Sequence, residues 1–547
     1  KAQGEQATKA QLESGYMAHK LQGTREETVW GQVLGTDTVP LLTDKIEKRV
    51  YEVKFTLNNE VKAMRYANSG QTVSLPKAKE LMGTEYNPLN TYTLTFADNF
   101  SATTPVTGDK TVAVQMTYIT KDYFAIASKD DWKEFRDLVS GGQNSINAKL
   151  IADVDLEKDI VMVGTEKDYS GTFDGDGHTL TVNWNSTADG IAPFYYVDNA
   201  TIKNLHTKGQ ITSSGYALSG LVYYASGTTT LSGCVSEVDI TSTSNEDACD
   251  MAGMIQTVDP NGKAIITDCV VKGSLNTPPG REIEIAGFVY NLNNIGKCTL
   301  NNCLYLGTTN ADSCYTFVTP NINNPDYVSI TNCYYLNSYN IEQGTPITKA
   351  QLESGEVTFK LQGDRKDNSY WAQVLGEWPG LYREADKAKP NYVYYNKENN
   401  GWMCDDFRLT DGTPLSIGLD FIAAKATYER DFNGAQKATL CLPYELPVQG
   451  FNAYTLSEKQ GNADAVRFTP VTDRLEAYKP YLLMANGTVQ LGGENIQVKA
   501  YNADALTTPA SKYKFVGTVN GMDNASAAAA NAYILQDDGK FHKVTTD

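Results

Sequence analysis

Residues 171–336 repeat themselves, and that repetition limits what the chain can fold into more than any local motif does. Five segments close on a similar phrase: ATIKNLHTKG, TTLSGCVSEV, AIITDCVVKG, CTLNNCLYLG and VSITNCYYLN. They bring Leu205, Cys234, Cys269, Cys303 and Cys333 to one position, at separations of 29, 35, 34 and 30 residues. A second phrase precedes four of them: APFYYV at Ala192, SGLVYY at Ser219, AGMIQT at Ala252 and AGFVYN at Ala286. Such a period marks a solenoid.

Within each period the apolar runs are four to seven residues long and rich in Val, Ile, Thr and Tyr. Gly, Asn, Asp and Ser separate them, and none is long or periodic enough for a helix. Each period holds about three runs, for example 220–225, 229–233 and 235–241. Three short strands per turn, stacked turn on turn, predict a parallel β-helix, with the right-handed form expected. Equivalent residues would then stand about 4.8 Å apart, stacking the Leu/Cys position into one inward ladder and Leu221, Met254 and Phe288 into another.

The phrases SGLVYY, AGMIQT and AGFVYN resemble GLUG motifs, the glycine-bounded apolar repeats of bacterial surface proteins. The lead-in KDDWKEFRDLVSGG, AKLIADVDLEKDI and GTEKDYSGTFDGDGHTLTV is similar to the usual opening of such a β-helix: a capping helix, a strand, then a glycine-rich turn. The likeness spans roughly residues 121–383. It implies a fold and a cell-surface setting, and no particular chemistry.

The N-terminal segment, residues 1–42, returns later in the chain as a second repeat. TKAQLESG at Thr8 recurs at Thr348, KLQG at Lys20 recurs at Lys360, and Trp30 and Gln32–Gly35 match Trp371 and 373–376. Residues 346–383 directly follow the last coil, so this unit is expected to cap the solenoid, whose end is otherwise open. Residues 1–42, by the same logic, are expected to close an upstream β-helix outside this sequence. Residues 50–119 alternate as strands and resemble the Listeria–Bacteroides repeat, a β-grasp-like module, most closely at TPVTGDKTV from Thr104. Residues 383–392, READKAKPNY, read as a charged linker. Residues 391–547 resemble a C-terminal β-sandwich module of gut Bacteroidetes, carried by 426–430, 439–443 and 479–483. Strand-length runs between turn signals support a sandwich independently. The fold class expected is therefore all-β and multi-domain: a β-grasp-like domain, a parallel β-helix over 121–383 and a β-sandwich.

Composition excludes some partners. With 47 basic and 65 acidic residues the net charge is −18, unfavourable for nucleic acid and for anionic membrane surfaces. No run of 18 apolar residues is present, so no membrane insertion is expected. The first residue is Lys1 and no apolar leader follows it, so the export signal or lipid anchor of a secreted or outer-membrane protein is expected outside this sequence. Four of the nine cysteines sit in the inward column, where a small apolar side chain is wanted, and are expected as buried thiols. Cys404 and Cys441 are the candidates for a disulfide.

Little catalytic chemistry is legible. The four histidines, His19, His178, His206 and His542, lie mostly in different segments. No HExxH, GxSxG, P-loop or CxxC motif occurs, and no metal or cofactor site is expected. Asp174-Gly-Asp176-Gly-His178 imitates the start of a calcium loop but lacks its later ligands, and reads as a tight turn. In Asp153-Val-Asp155-Leu the carboxylates would face water, with Val154 and Leu156 turned inward. Before Trp132, Phe135 and Val139, either Asp130 or Asp131 would cap a short helix. An enzyme of lyase or glycoside hydrolase type would need carboxylates with Arg or Lys converging on one solenoid face, for which Asp239, Asp268, Lys272, Arg281, Glu282 and Glu284 are the available set. A solvated surface accounts for them equally. The more informative surface feature is aromatic: Tyr196, Tyr223 and Tyr290 would form one column, interrupted by Gln256, with Tyr195 and Tyr224 beside it. Such a row suits stacking against sugar rings or a protein, and packing beneath loops is its bland explanation. The function expected is that of a monomeric, non-enzymatic, adhesin-like surface protein binding a glycan or a host or bacterial surface protein. A polysaccharide lyase or hydrolase and a passive stalk are the alternatives.

Overall fold

The computed structural model describes residues 6–244, 250–278, 285–290, 296–320, 325–430, 437–461, 465–485, 489–519 and 521–545. Two compact units emerge, Lys1–Ala125 and Ile126–Asp547. No helix among the described residues is long and apolar enough to cross a membrane.

In the first unit, strands Val50–Leu57 and Glu60–Asn68 form a hairpin, and so do Asn90–Phe96 and Lys110–Thr120. The two hairpins join through a parallel pairing of Val50–Leu57 with Lys110–Thr120. The resulting order, second-first-fourth-third, with Leu81 of helix Ala78–Met82 buried against Val53, Phe55 and Val112, is a β-grasp arrangement.

The two copies of the repeated segment adopt one fold. Helices Lys9–Glu13 and Tyr16–Gln22 correspond to Lys349–Glu353 and Glu356–Gln362, each pair opened by a Thr–Gln capping box and bent at a left-handed glycine, Gly15 (φ 90°) or Gly355 (φ 87°). Buried glutamines tie the following turn back to the helices. Gln22 Oε1 accepts from the Val29 and Trp30 amides, and Gln362 Oε1 from those of Tyr370 and Trp371. Gln32 and Gln373 donate from Nε2 to the Leu12 and Leu352 carbonyls. Buried amides are costly without such partners, which fits the recurrence of these glutamines in both copies.

The second unit contains the solenoid, whose described strands pair in parallel from coil to coil, with one isolated antiparallel bridge, Cys314 to Tyr339, near its end. One sheet runs from Ala148–Leu150 through Thr172–Asp174, Thr201–Lys203, Thr228–Ser232, Lys263–Thr267 and Lys297–Asn301 to Val328–Thr331. A second runs from Val154–Asp155 through Thr179–Ser186, His206–Ser213, Val235–Ser242, Val270–Val271, Leu304–Tyr305 and Tyr334–Tyr335 to Thr345–Pro346. Beyond the three runs expected, a further short strand precedes the glycine of the small-Gly phrase, as Ala217–Ser219 precedes Val222–Ser226, giving four faces where three were expected. The corner between these two strands falls at that phrase. A Cβ on Gly220 would lie 2.3 Å from the Gly253 carbonyl oxygen, and one on Gly253 2.2 Å from that of Gly287, so these inner coils need glycine at this corner, whereas the first coil has Pro193 there.

Leu205, Cys234, Cys269, Cys303 and Cys333 are all buried and in register, as are Leu221, Met254 and Phe288. The residue before each Leu/Cys turns the corner in the left-handed region: Asn204, Gly233, Asp268, Asn302 and Asn332, with φ between 52° and 61°. The first coil is plugged by helix Lys129–Ser140, which buries Trp132 and Phe135 edge-on or tilted against Phe173, Phe194 and Tyr169. Its cap is Ser128, whose Oγ accepts from the Asp131 amide. Neither Asp130 nor Asp131 caps it. Asp131 instead reaches back to the Ala127 amide and the Ser128 hydroxyl.

The second copy of the repeated unit lies along the flank of the solenoid. Leu352, Val357, Leu361 and Trp371 pack on Val235, Val270, Leu304 and Tyr334, an outward column of the second sheet. At the last coil, Val328 and Ile330 remain half-buried while Cys298 and Leu300, one coil earlier, are fully buried. Strand Trp371–Val374 then continues into the C-terminal region, pairing antiparallel with Tyr392–Asn396. Residues 383–392 therefore bridge two strands of one sheet, with a short 3-10 helix Glu384–Ala388, and are not a free linker. That sheet faces another formed by Lys437–Leu440, Tyr481–Met484, Asn452–Glu458 and Val466–Val471, and Phe407, Phe421, Leu440 and Leu483 fill the sandwich between them. Cys404 and Cys441 are both free thiols.

Candidate binding surface on the solenoid

Strands Phe194–Asp198 and Val222–Ser226 pair with Phe194 opposite Val222 and Tyr196 opposite Tyr224, which sets Tyr195 beside Tyr223. Phe194, Val197, Val222 and Ala225 point into the coil and are buried, while two consecutive tyrosines on each strand stay partly exposed. The four rings form a connected cluster. Centroids are 4.5 Å apart for Tyr195 and Tyr196, 4.8 Å for Tyr195 and Tyr223, and 5.6 Å for Tyr196 and Tyr224. These are edge-to-face or tilted contacts, each adding about 0.5–1.5 kcal/mol beyond area burial. Gly190, at φ +70°, passes so close that a Cβ there would meet the Tyr195 ring at 2.8 Å and the Tyr223 ring at 3.0 Å. Asp189 accepts from the Tyr216 amide at 3.0 Å, joining this turn to the one that carries Tyr216, itself 40% exposed.

Carboxylates border the rings. The Tyr224 hydroxyl donates to Asp259 at 2.7 Å, and Ser226 donates to Asp198 at 3.1 Å. Burial pushes the Tyr195 hydroxyl upward and those of Tyr223 and Tyr224 up to about 12, with Asp259 adding to the last. All three are neutral near pH 7, and each can both donate and accept a hydrogen bond.

The column expected from the sequence is corrected in two respects. The first coil is one residue shorter between the bridges Ile191–Leu218 and Phe194–Val222, so Tyr195, and not Tyr196, shares the row of Tyr223, Gln256 and Tyr290. Tyr290 is only 2% exposed, packed with Ala252 and Ala286, whose small side chains make room for its ring. It belongs to the core. Tyr216 carries no signal in the sequence because it lies in a turn outside the repeated phrases, and its backbone contact with Asp189 places it here.

The charged candidates do not converge. Asp268 sits at the corner turn, where it accepts from Arg365 Nη1 and Nη2 at 2.7 and 2.8 Å and from Trp371 Nε1 at 2.7 Å. Asp239 lies on the second sheet and accepts from the Ser274 amide and hydroxyl. Lys272 is paired with Glu237 at 2.7 Å, and His206 faces the same carboxylate at 3.1 Å. Arg281, Glu282 and Glu284 lie outside the described residues. The Asp174–His178 stretch is a turn: Asp174 accepts from the Asp176 amide and Asn204, and Asp176 (φ 48°) and Gly177 (φ 76°) take left-handed conformations. Gly175 is needed for space, since a Cβ there would meet the Asn204 oxygen at 2.4 Å. Val154 and Leu156 are buried and Asp153 and Asp155 exposed. Among the described residues no cluster of three or more His, Cys, Asp or Glu side chains is placed to hold a metal ion. A polar groove of about 570 Å³ opens beside Asn302, Asn332, Lys360 and Arg365, but Glu356 and Asp268 already pair with its two cations.

No family model matches the chain, and no curated protein does. Among solved structures, a presumptive immunoglobulin A1 protease from Bacteroides ovatus is similar over 47% of this chain and 92% of its own, at 13% identity and a TM-score of 0.33. A likeness that slight carries no argument about fold or activity.

Proposed function

We propose that this chain is an adhesin-like, glycan-binding protein of a bacterial cell surface, with GLUG-type coils displaying the tyrosine cluster. The observation that carries the reading is the cluster itself, formed by Tyr195, Tyr196, Tyr223 and Tyr224 with Tyr216 and Asp189 at its edge. Aromatic faces receive the C–H faces of pyranose rings, and flanking carboxylates and neutral phenols satisfy sugar hydroxyls. The GLUG-like phrases, the β-grasp module and the C-terminal sandwich support a secreted or outer-membrane setting of Bacteroidetes type and a monomer acting as a display scaffold. The lyase or hydrolase alternative has less support, because Asp239, Asp268 and Lys272 are engaged in separate places.

The test is affinity electrophoresis of the intact chain through gels containing individual host and plant polysaccharides. Retardation by at least one polysaccharide, abolished in the double variant Tyr195→Ala/Tyr223→Ala but kept in Tyr290→Phe, is the expected result. A polysaccharide that shortens with time would establish an enzyme instead. Equal retardation of all variants would remove the tyrosine cluster from the reading.

A further inference from the structure

The two copies of the repeated unit share a fold but differ in what covers them. In the second copy, Leu352, Val357, Leu361 and Trp371 are completely buried against the flank of the solenoid. Their counterparts in the first copy, Leu12, Met17, Leu21 and Trp30, are half-buried or exposed, Leu21 at 37%. Leu42, which pairs with Trp30 as Leu381 pairs with Trp371, is 70% exposed. The residue types have stayed apolar where nothing described covers them. An apolar face of this kind marks an interaction site.

Arg25 sharpens the comparison. In the second copy Arg365 is braced by donating to the Leu361 and Gln362 carbonyls at 2.7 and 2.9 Å, and it presents its remaining donors to Asp268. Arg25 is braced on the equivalent carbonyls, though through Nη1 alone, donating to Leu21 and Gln22 at 2.6 and 2.9 Å, yet it makes no ion pair among the described residues. A guanidinium held in place is pre-organised for a carboxylate. The opposite side of each copy is turned to the β domain that follows it: a Cβ on Gly15 would meet Val50 and Tyr66, and one on Gly355 would meet Leu419. In the second copy only Ile347 separates the last solenoid strand, Thr345–Pro346, from the cap residue Thr348.

We infer that Leu12, Met17, Leu21, Trp30 and Leu42, with Arg25 at their edge, dock the flank of a second parallel β-helix joined to the N-terminal side of this unit. That flank would present an apolar outward column and, at one corner turn, an acidic residue in the role of Asp268. The unit is thus a coupling element, set between a solenoid before it and a β domain after it.

The chain's own β-helix serves as the probe. Residues 126–347 are placed a second time directly ahead of Thr8 in the full chain, and amide exchange across residues 20–31 is compared with that of the unextended chain by mass spectrometry. The expected result is exchange slowed by about tenfold or more, with most of that protection lost in Arg25→Ala and in Asp268→Ala of the added copy alone. Peptides spanning Val235–Ser242 then occur twice, so an added copy that stays unfolded appears as half the signal exchanging at once. That outcome overturns the proposal, because the same coils fold when the second unit covers them. Exchange across 20–31 that ignores the added coils, or both substitutions, also overturns it. So does protection of that face through self-association of the unextended chain, which would make its occupant a second copy.

Discussion

Ala18→Thr should stabilise the first unit, and the reason lies in the second copy of the repeat. Gln32 is fully buried, and its Oε1 has no hydrogen-bond partner among the described residues. At the equivalent place Gln373 Oε1 accepts from the hydroxyl of Thr358, where the first copy has Ala18. A buried acceptor without a partner costs about 1–3 kcal/mol. Replacing Ala by Thr inside a helix costs roughly 0.7 kcal/mol or less. The net gain is about 0.5–2 kcal/mol, because Thr358 is itself fully buried and shows that the same fold holds the side chain without strain. Amide exchange of residues 29–35 in the intact chain should therefore slow by roughly twofold to thirtyfold. Thr358→Ala should accelerate exchange across 371–376 by a similar factor. Exchange unchanged or faster in Ala18→Thr, together with a neutral Thr358→Ala, would refute the account of the buried glutamines.

Asp268→Ala strands the Arg365 guanidinium and the Trp371 indole N–H, and should lower stability by about 2–4 kcal/mol once the partial exposure of Arg365 is allowed for; a change in thermal unfolding equivalent to less than about 0.5 kcal/mol would contradict the role given to this residue. Glu237 is held down to about 2 by His206 first and by Lys272. A depressed carboxyl contributes stability above its unfolded value of 4.5, lost as pH falls toward 2. Glu237→Gln should remove that part of the acid sensitivity, read as denaturant midpoints between pH 5 and pH 2, and an unchanged slope would count against it. Burial pushes the thiols of Cys298, Cys404 and Cys441 up to about 12 and those of Cys269 and Cys303 well above 9.0. These raised values favour the folded state below pH 9 and withdraw that support as pH rises toward 12. Ladder thiols should accordingly react with a disulfide reagent only as fast as the chain unfolds, and native-state labelling of Cys269 or Cys303 would sink the ladder assignment. Cys249 lies outside the described residues.

Much of the scaffold was legible because stacked coils force the same inward position to recur. The Leu205–Cys333 column, the small-Gly phrases and the helix around Trp132 and Phe135 each follow from a local demand: a small apolar ladder, a corner too tight for a Cβ, and a plug for the first coil. The doubled unit was legible as a repeat, since the same buried glutamines hold the same backbone amides in both copies. Its placement was not. Valines and leucines beside each Cys read as strand interior in one dimension, and only stacking reveals that Val235, Val270 and Leu304 face outward and need a cover. The corner residue Asp268 reads in the sequence as one acidic residue among many, and it becomes the anchor of the second copy through Arg365, 97 residues away.

The sequence by itself determined that this chain stacks parallel coils between two other β-rich regions, because period, residue size and turn chemistry are local and repeat. Only the tertiary structure decided which tyrosines are available. A coil shorter by one residue moves Tyr195 into the row of Tyr223, and two alanines on successive strands of the adjoining face give Tyr290 a place inside. Exposure depends on what other strands bring alongside a side chain, and that is settled across coils, at distances along the chain that no local pattern spans.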